Sequence, residues 1–393
     1  MRILEMRMRS AGIVSVVLML AVGSAALHAQ QVVPSASAGV AALQPPFKTI
    51  TYSPAKTKMA SDPFFSHGYI IQFKHSSASA EESTIYLWNS SGQLEHEIAI
   101  WPAGTDKLSL TSVDVGVDSQ LAFAGRATKT DGSLFAFIAT SNLAGENPRY
   151  FTTGDYLPTQ IARADDGSIW AIGAEHSEDE QIAGVTTKKW ANYDTLRHYS
   201  STGVLIEHFL SRWGSGVAYI TKGAGNGAFK AYNSQGNAVA SPYLNPDWGY
   251  QNAWAASSFL RSSGTQTVLY DGLREQLCKR DTVANTFSCE TVTGTYADLF
   301  SLTGFAFLSN GDVLASMKGD EPDLDDMCGL FFLAPQTSGS GSQWILVPGT
   351  KSDRFTVGDF LLLLGSDGDS LIYSRTEAKG DTTTVVYESR SEK

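Results

Sequence analysis

The sequence predicts an all-β chain folded as a β-propeller of four-stranded antiparallel blades, and three observations carry that reading. A turn phrase recurs, as "ADDGSIWAIGA" at Ala164 to Ala174, "LSNGDVLASM" at Leu308 to Met317 and "GSDGDSLIYS" at Gly365 to Ser374. Taking Gly68, Ser119, Gly167, Gly216, Gly264, Gly311 and Gly368 as turn markers gives steps of 51, 48, 49, 48, 47 and 57 residues. A period near 48 is what a four-stranded blade requires and is too long for most helical repeats. Finally, the chain has 36 glycines and lacks long runs of helical period, which favours many short strands and tight turns.

The strands follow in order. The first unit reads "TIYLWN" and "QLEHEIAI" around Ser90-Ser91-Gly92; the third reads "SIWAIGAE", "TLRHYS" and "VLIEHFL", the last two joined at Ser201-Thr202-Gly203. Runs such as "SIWAIGA" and "DFLLLLG" are apolar on both faces. Without helices for parallel crossovers, they fit antiparallel meanders sandwiched between neighbouring blades. The last unit ends one strand short, and "FKTITY" (Phe47 to Tyr52) stands alone near the N-terminus as the strand that closes the ring. The marker count gives seven blades, with six or eight left open.

Organisation at the N-terminus is that of an exported chain. Arg2, Arg7 and Arg9 precede an apolar run ending in small residues, so residues 1–29 read as a signal peptide, with cleavage after Ala29 or Ala26. Residues 30–46 read as a flexible leader and 47–393 as a single propeller domain. The competing reading of the apolar run is an uncleaved anchor; no second run is long enough to span a bilayer. Expected localisation is periplasmic or extracellular, and the expected state a monomer. The formal charge of −11 becomes about −13 once the signal leaves, and no basic patch with interleaved aromatics occurs. Nucleic acid is therefore not an expected partner.

At this level the chain resembles the secreted bacterial β-propellers of the NHL, SMP-30 and TolB-like type. "RDTVANTF" (Arg280 to Phe287) is similar to the outer hairpin turn of many propellers, while the WD dipeptide and the Gly-Gly kelch signature are missing. The resemblance implies the fold. Members of these families bind proteins, bind sugars or hydrolyse lactones, so it does not choose a function.

Cys278 and Cys289 flank that hairpin turn. A four-residue loop that pairs Asp281 with Thr286 sets the two cysteines directly opposite, and on an exported chain they form a cross-strand disulfide; two free buried thiols are the alternative. Cys328 is left over in the acidic loop "GDEPDLDDMCG", where no neighbouring His offers a base.

In a propeller the connections between second and third strands, and those between successive blades, share one face. Three long segments map there: His176 to Asp194 as a loop of unit three, Gly319 to Gly329 as a loop of unit six, and Ser241 to Ala255 as the link into unit five. Function is expected on such loops. Asp320, Asp323 and Asp325 offer hard oxygens that suit Ca²⁺, although the spacing lacks the Gly and distal Glu of an EF-hand; a solvated acidic loop is the alternative. Tyr243, Trp248, Tyr250 and Trp254, with Trp101, Tyr156 and Trp213 in other links, suit a partner or sugar surface, with seam packing as the alternative for several. His198 and His208 are expected on the surface of outer strands. HExxH, GxSxG and Walker patterns are missing, and "GAGNG" leads into a strand.

Three functions remain open at this stage. The first is an exported, non-enzymatic propeller that binds a protein, peptide or glycan through its loop-rich face. The second is a metal-dependent hydrolase or lyase with Asp114, Gln160, Asn252, Asp298 and Asp359 at the channel end of the innermost strands. The third is an assembly scaffold.

Overall fold

The computed structural model describes residues 48–55, 60–79, 83–154, 156–182, 185–210, 219–222, 229–232, 238–239, 258–271, 276–293, 300–319, 329–336, 341–350, 361–376 and 383–389. Among these, all regular structure is strand. The turn markers explain the strand rhythm. Gly68, Gly167, Gly264, Gly311 and Gly368 all have positive φ, as does Ser119. At two of them the same turn is built twice. Gly167 and Gly311 donate back to Ala164 and Leu308 at 2.9 and 3.0 Å. The carboxylate of Asp166 and the amide oxygen of Asn310 each accept the backbone N–H two residues on, at 2.9 Å. Short Asx side chains do this readily, and Gly supplies the left-handed residue.

Between these turns run meanders. Blade 1 comprises Phe64–Ser66, Tyr69–Phe73, Thr84–Trp88 and Leu94–Ala99. Blade 2 comprises Thr105–Val115, Gln120–Lys129, Leu134–Asn142 and Arg149–Gly154, with Ser76–Ser77 added on its inner edge. Blade 3 comprises Tyr156–Arg163, Ile169–Ile182, Val185–Tyr199 and Leu205–Leu210. Blade 4 comprises Ser258–Ser263, Gln266–Asp271, Gln276–Asp281 and Thr286–Thr293. Blade 5 comprises Phe300–Phe307, Val313–Gly319, Gly329–Pro335 and Ser342–Leu346. The outer strands of blades 4 and 5 pair in parallel over Val292↔Ser342 and Thr293↔Gln343, which fuses the two into one eight-stranded sheet.

Blade 6 takes three strands from the C-terminal end, Leu361–Asp367, Ser370–Thr376 and Thr383–Ser389, and its fourth from the other end of the chain. The closing strand Lys48–Tyr52 pairs antiparallel with Thr383–Ser389, from Lys48↔Tyr387 to Tyr52↔Thr383. The isolated β-rich run thus supplies the outer strand that the last unit lacks.

Six apolar seams hold the ring. Ile71, Phe73, Val113 and Phe123 join blades 1 and 2, and Ala122, Ile138, Tyr156 and Ile161 join 2 and 3. Ala162, Trp170, Leu196, Leu260 and Leu269 join 3 and 4. Tyr270, Leu277, Phe305 and Trp344 join 4 and 5; Ala306, Leu314, Leu363 and Tyr373 join 5 and 6. Ile50, Tyr52, Phe65, Ile70 and Ile372 join 6 back to 1. Every blade is therefore covered on both faces, which is why second strands such as Tyr69–Phe73 and Gln120–Lys129 are buried along both sides, while outer strands such as Leu94–Ala99 stay polar.

The ring in the described residues has six blades, one of the counts left open beside the seven that the markers favour. Blade 3 packs directly on blade 4. The strands of unit four, Tyr219–Lys222, Phe229–Tyr232 and Ala238–Val239, form a separate three-stranded sheet that does not intervene. A period counted along the chain enumerates turns; whether a unit enters the ring is decided by the packing of its faces, which the period does not encode.

Candidate functional site

The six innermost strands surround a central channel with a cavity of about 470 Å³, walled by one or more polar residues from each blade: Ser66, Asp114, Gln160, Arg261, Thr303 and Ser366. Asp114 and Gln160 do reach this wall, as expected. Their oxygens are engaged there in holding the ring. Asp114 Oδ2 accepts the backbone N–H of Arg163 on the next blade at 2.6 Å, and its Oδ1 accepts that of Val115 at 3.0 Å. Gln160 Oε1 accepts the N–H of Leu260 at 3.1 Å, from blade 3 to blade 4. Ser112 Oγ accepts from Ile161 N–H, Ser316 Oγ from Leu363 N–H, and Ser66 and Ser366 donate to the carbonyls of Val115 and Phe307. Each such bond contributes about 1 kcal/mol net, and each would cost more if one partner were left unmet. These residues are clasps between adjacent blades. Asn252, Asp298 and Asp359 lie outside the described residues.

A second polar cluster lies on the seam between blades 3 and 4. His198 is buried rather than on the surface, because its ring stacks on Trp170 at 4.0 Å between centroids. Its Nε2 lies 2.7 Å from Ser168 Oγ and its Nδ1 3.3 Å from Glu207 Oε1. Glu207 in turn receives both Nε and Nη2 of Arg280, at 3.1 and 2.9 Å. Hydroxyl, imidazole and carboxylate in a row are the elements of a nucleophilic triad. Here, however, the Ser168 hydroxyl donates to Asp166, and Ser168 and His198 are both buried. A hydroxyl whose hydrogen points to a carboxylate is not presented to the base, and no substrate reaches it. The row links the two blades. Burial pushes His198 below its ordinary value, against the opposing pull of the Glu207 hydrogen bond and charge.

The disulfide forms in the register read from the sequence, from Asp281↔Thr286 to Cys278↔Cys289. It closes a separation of 11 residues and braces one hairpin, for about 2–3 kcal/mol by loop-closure entropy. Arg280, in the same hairpin, also donates to Asn285 Oδ1 at 2.9 Å, tying the turn to the ion pair.

Of the aromatic set, Tyr156 is fully buried: its hydroxyl donates to Ala171 O at 2.9 Å and the Arg197 guanidinium lies 4.0 Å over its ring. It is a seam residue and presents no face to a ligand. Trp101 is half-buried and packs against the seam of blades 1 and 2. Trp213, Tyr243, Trp248, Tyr250 and Trp254 lie outside the described residues, as do Asp320, Asp323, Asp325 and Cys328.

The segment expected as a loop from His176 to Asp194 is largely strand. Ile169–Ile182 and Val185–Tyr199 stay paired to Ile182↔Val185. The neighbouring inner strand stops at Tyr156↔Glu175, and the outer strand starts at Thr195↔Leu210. Beyond those points the pair runs on as a two-stranded ribbon, about 20 Å long at strand rise, with no ladder partner on either edge among the described residues. Its register sets Glu178 opposite Lys189 and Asp179 opposite Lys188. Opposite charges at facing positions favour such pairing. That alternation of acidic and basic stretches was the available signal, and it was masked by the polar composition of the segment.

No family model matches the chain, and no curated protein matches it. Among solved structures it is similar to the nidogen/laminin complex (8% identity, 84% of this chain and 86% of that one, TM-score 0.36). It is also similar to TolB from Acinetobacter baumannii (8%, 86% and 66%, 0.36). A third is a luciferin-regenerating enzyme (8%, 87% and 95%, 0.43). At these levels the similarities say nothing of the site; the propeller rests on the strand order and the six seams.

Proposed function

We propose that the protein is an exported, non-enzymatic β-propeller that captures an extended segment of a partner protein or peptide along the ribbon of blade 3. The observation that carries this reading is the ribbon's pair of edges, which have no ladder partner among the described residues. Backbone N–H and C=O groups on an unpaired edge are a template for strand addition, and the partner's main chain supplies the complementary row. A two-stranded ribbon is marginal by itself, so covering an edge stabilises it as well as the complex. Export is supported by the basic-apolar-small order of residues 1–29 and by the disulfide, which persists in oxidising compartments. The engagement of Asp114 and Gln160 in clasps supports a binding role over channel hydrolysis.

The test replaces residues 177–190 by Asn-Gly, which shortens the hairpin to the blade. Intact and shortened proteins are then compared for capture of extended peptides and of partners from cell-envelope and culture fractions. The expected result is an unchanged melting temperature with capture lost. Equal capture by both proteins removes the ribbon from consideration. The same assay on Trp248→Ala and Tyr250→Ala tests the aromatic link as a second contact, with a loss of about 1 kcal/mol or more each.

A further inference from the structure

One cation in the channel wall is left over by the clasps. Arg261, on the inner strand of blade 4, is walled in by the ring but keeps accessible surface toward the cavity. A guanidinium carries five N–H donors in a rigid fork. Among the described residues the one bond of this guanidinium runs from Nη1 to the carbonyl of Leu260, at 2.8 Å, and no carboxylate lies within ion-pair distance. Asp114 is near enough for its charge to be felt, but among the described residues neither a hydrogen bond nor an ion pair joins its carboxylate, which accepts two backbone N–H groups, to the fork. Burial draws the guanidinium below its ordinary range, and the Asp114 charge only opposes this. An enclosed cation of this kind is favoured by an anion that brings two acceptor oxygens.

We propose that the central channel is a binding site for a small organic monocarboxylate, held by the Arg261 fork. The cavity, at about 470 Å³, falls within the 300–1,000 Å³ range of small-molecule sites. Its wall fixes the charge of the ligand. Asp62, Asp114 and Asp367 share it with Arg261, so every negative charge on a ligand beyond the one that the fork meets is opposed, and a phosphate dianion is disfavoured against a monocarboxylate. This site is separate from the ribbon, and its failure would leave the ribbon reading untouched.

The experiment is calorimetric titration of the mature full chain with hexanoate, gluconate and glucuronate, alongside inorganic phosphate and glucose. At least one monocarboxylate binds with Kd below about 1 mM, and phosphate binds at least about tenfold more weakly. Arg261→Gln lowers that affinity about tenfold or more, and Arg261→Lys, which keeps the charge but loses the fork, lowers it severalfold. Asp114→Asn, which removes the competing charge and keeps an acceptor for Arg163 N–H, raises it. Absence of binding by all three acids overturns the proposal, as does equal or tighter binding of phosphate. Should Arg261→Gln fail to fold, as judged by thermal melting, unchanged affinity in Arg261→Lys overturns it instead.

Discussion

The seam between blades 6 and 1 and the seam between blades 3 and 4 solve the same problem with different chemistry. At the first, the closing strand brings Ile50 and Tyr52 against Phe65, Ile70 and Ile372, and Tyr52 meets the edge of Trp88 at 5.2 Å. The contact is almost wholly apolar, and burial raises the Tyr52 phenol well above its usual range. At the second, an apolar patch is joined by Gln160 reaching Leu260, and by the row Ser168, His198, Glu207 and Arg280. Apolar area holds any two suitable faces together. Bidentate ion pairs accept only one alignment. The polar seam lies where the chain leaves blade 3 at Leu210 and re-enters the ring at Ser258. Charge also joins blades 2 and 3, where Arg163 meets Asp118 at 2.6 Å, but among the described residues only the seam after Leu210 combines it with a buried imidazole.

That contrast can be broken first at the apolar seam. Deleting residues 48–52 removes a five-residue ladder and two buried side chains, each contributing about 1.5–3 kcal/mol, and bares the edge of Thr383–Ser389. The expected outcome is aggregation on purification, read by size-exclusion chromatography, whereas deletion of residues 30–44 leaves a monodisperse protein. At the polar seam, Arg280→Ala strands Glu207 and unties the hairpin turn. Stability in urea falls by about 3 kcal/mol, and the double variant with Glu207→Gln recovers part of it.

A smaller effect follows from pH. A histidine held neutral by burial contributes stability above its unfolded value of 6.5, and that stability is lost as pH falls below it. The groups facing His198 are Glu207, Asp166, Arg280 and Ser168, and of these Asp166 titrates lower. Burial works to raise the Asp166 carboxyl, the Ser168 hydrogen bonds outweigh it, and its contribution is lost below 3.8. Melting temperature therefore declines from pH 7 to 5, and His198→Gln flattens that decline; an unchanged slope in the variant assigns it elsewhere. The smallest effect is expected from excising residues 213–255 and bridging with eight Gly and Ser residues. If blades 3 and 4 are true neighbours, the melting temperature changes little. Collapse of the fold would show that unit four belongs in the ring.

Much of the architecture was legible because it is local. Each described marker turn is a left-handed residue in an Asx- or Gly-type turn, and such turns are written in three or four consecutive letters. The pairing of Cys278 with Cys289 follows from a short loop once the hairpin is granted. The closing strand was legible as a remainder, since one run lacked a partner at each end. What escaped were relations between distant residues. Nothing near Asp114 or Gln160 marks them as clasps, because their partners lie 49 and 100 residues away. His198 looks like a surface residue until Trp170, 28 positions earlier, is laid against it. The ribbon escaped because its sequence is mostly polar and lacks the apolar runs that mark the blade strands.

The closing strand has a consequence for how the chain comes into being. Lys48 is among the first described residues to leave the ribosome, and its partner Tyr387 comes 339 positions later. At about 5–20 residues per second, tens of seconds separate the two. Through most of that interval blade 6 has only its outer strand and blade 1 has one bare face, so the ring has no closed state to fall into. Contacts of such long range form late and slowly. The same strand that makes the ring continuous therefore postpones its closure until the C-terminal strand of blade 6 has been made.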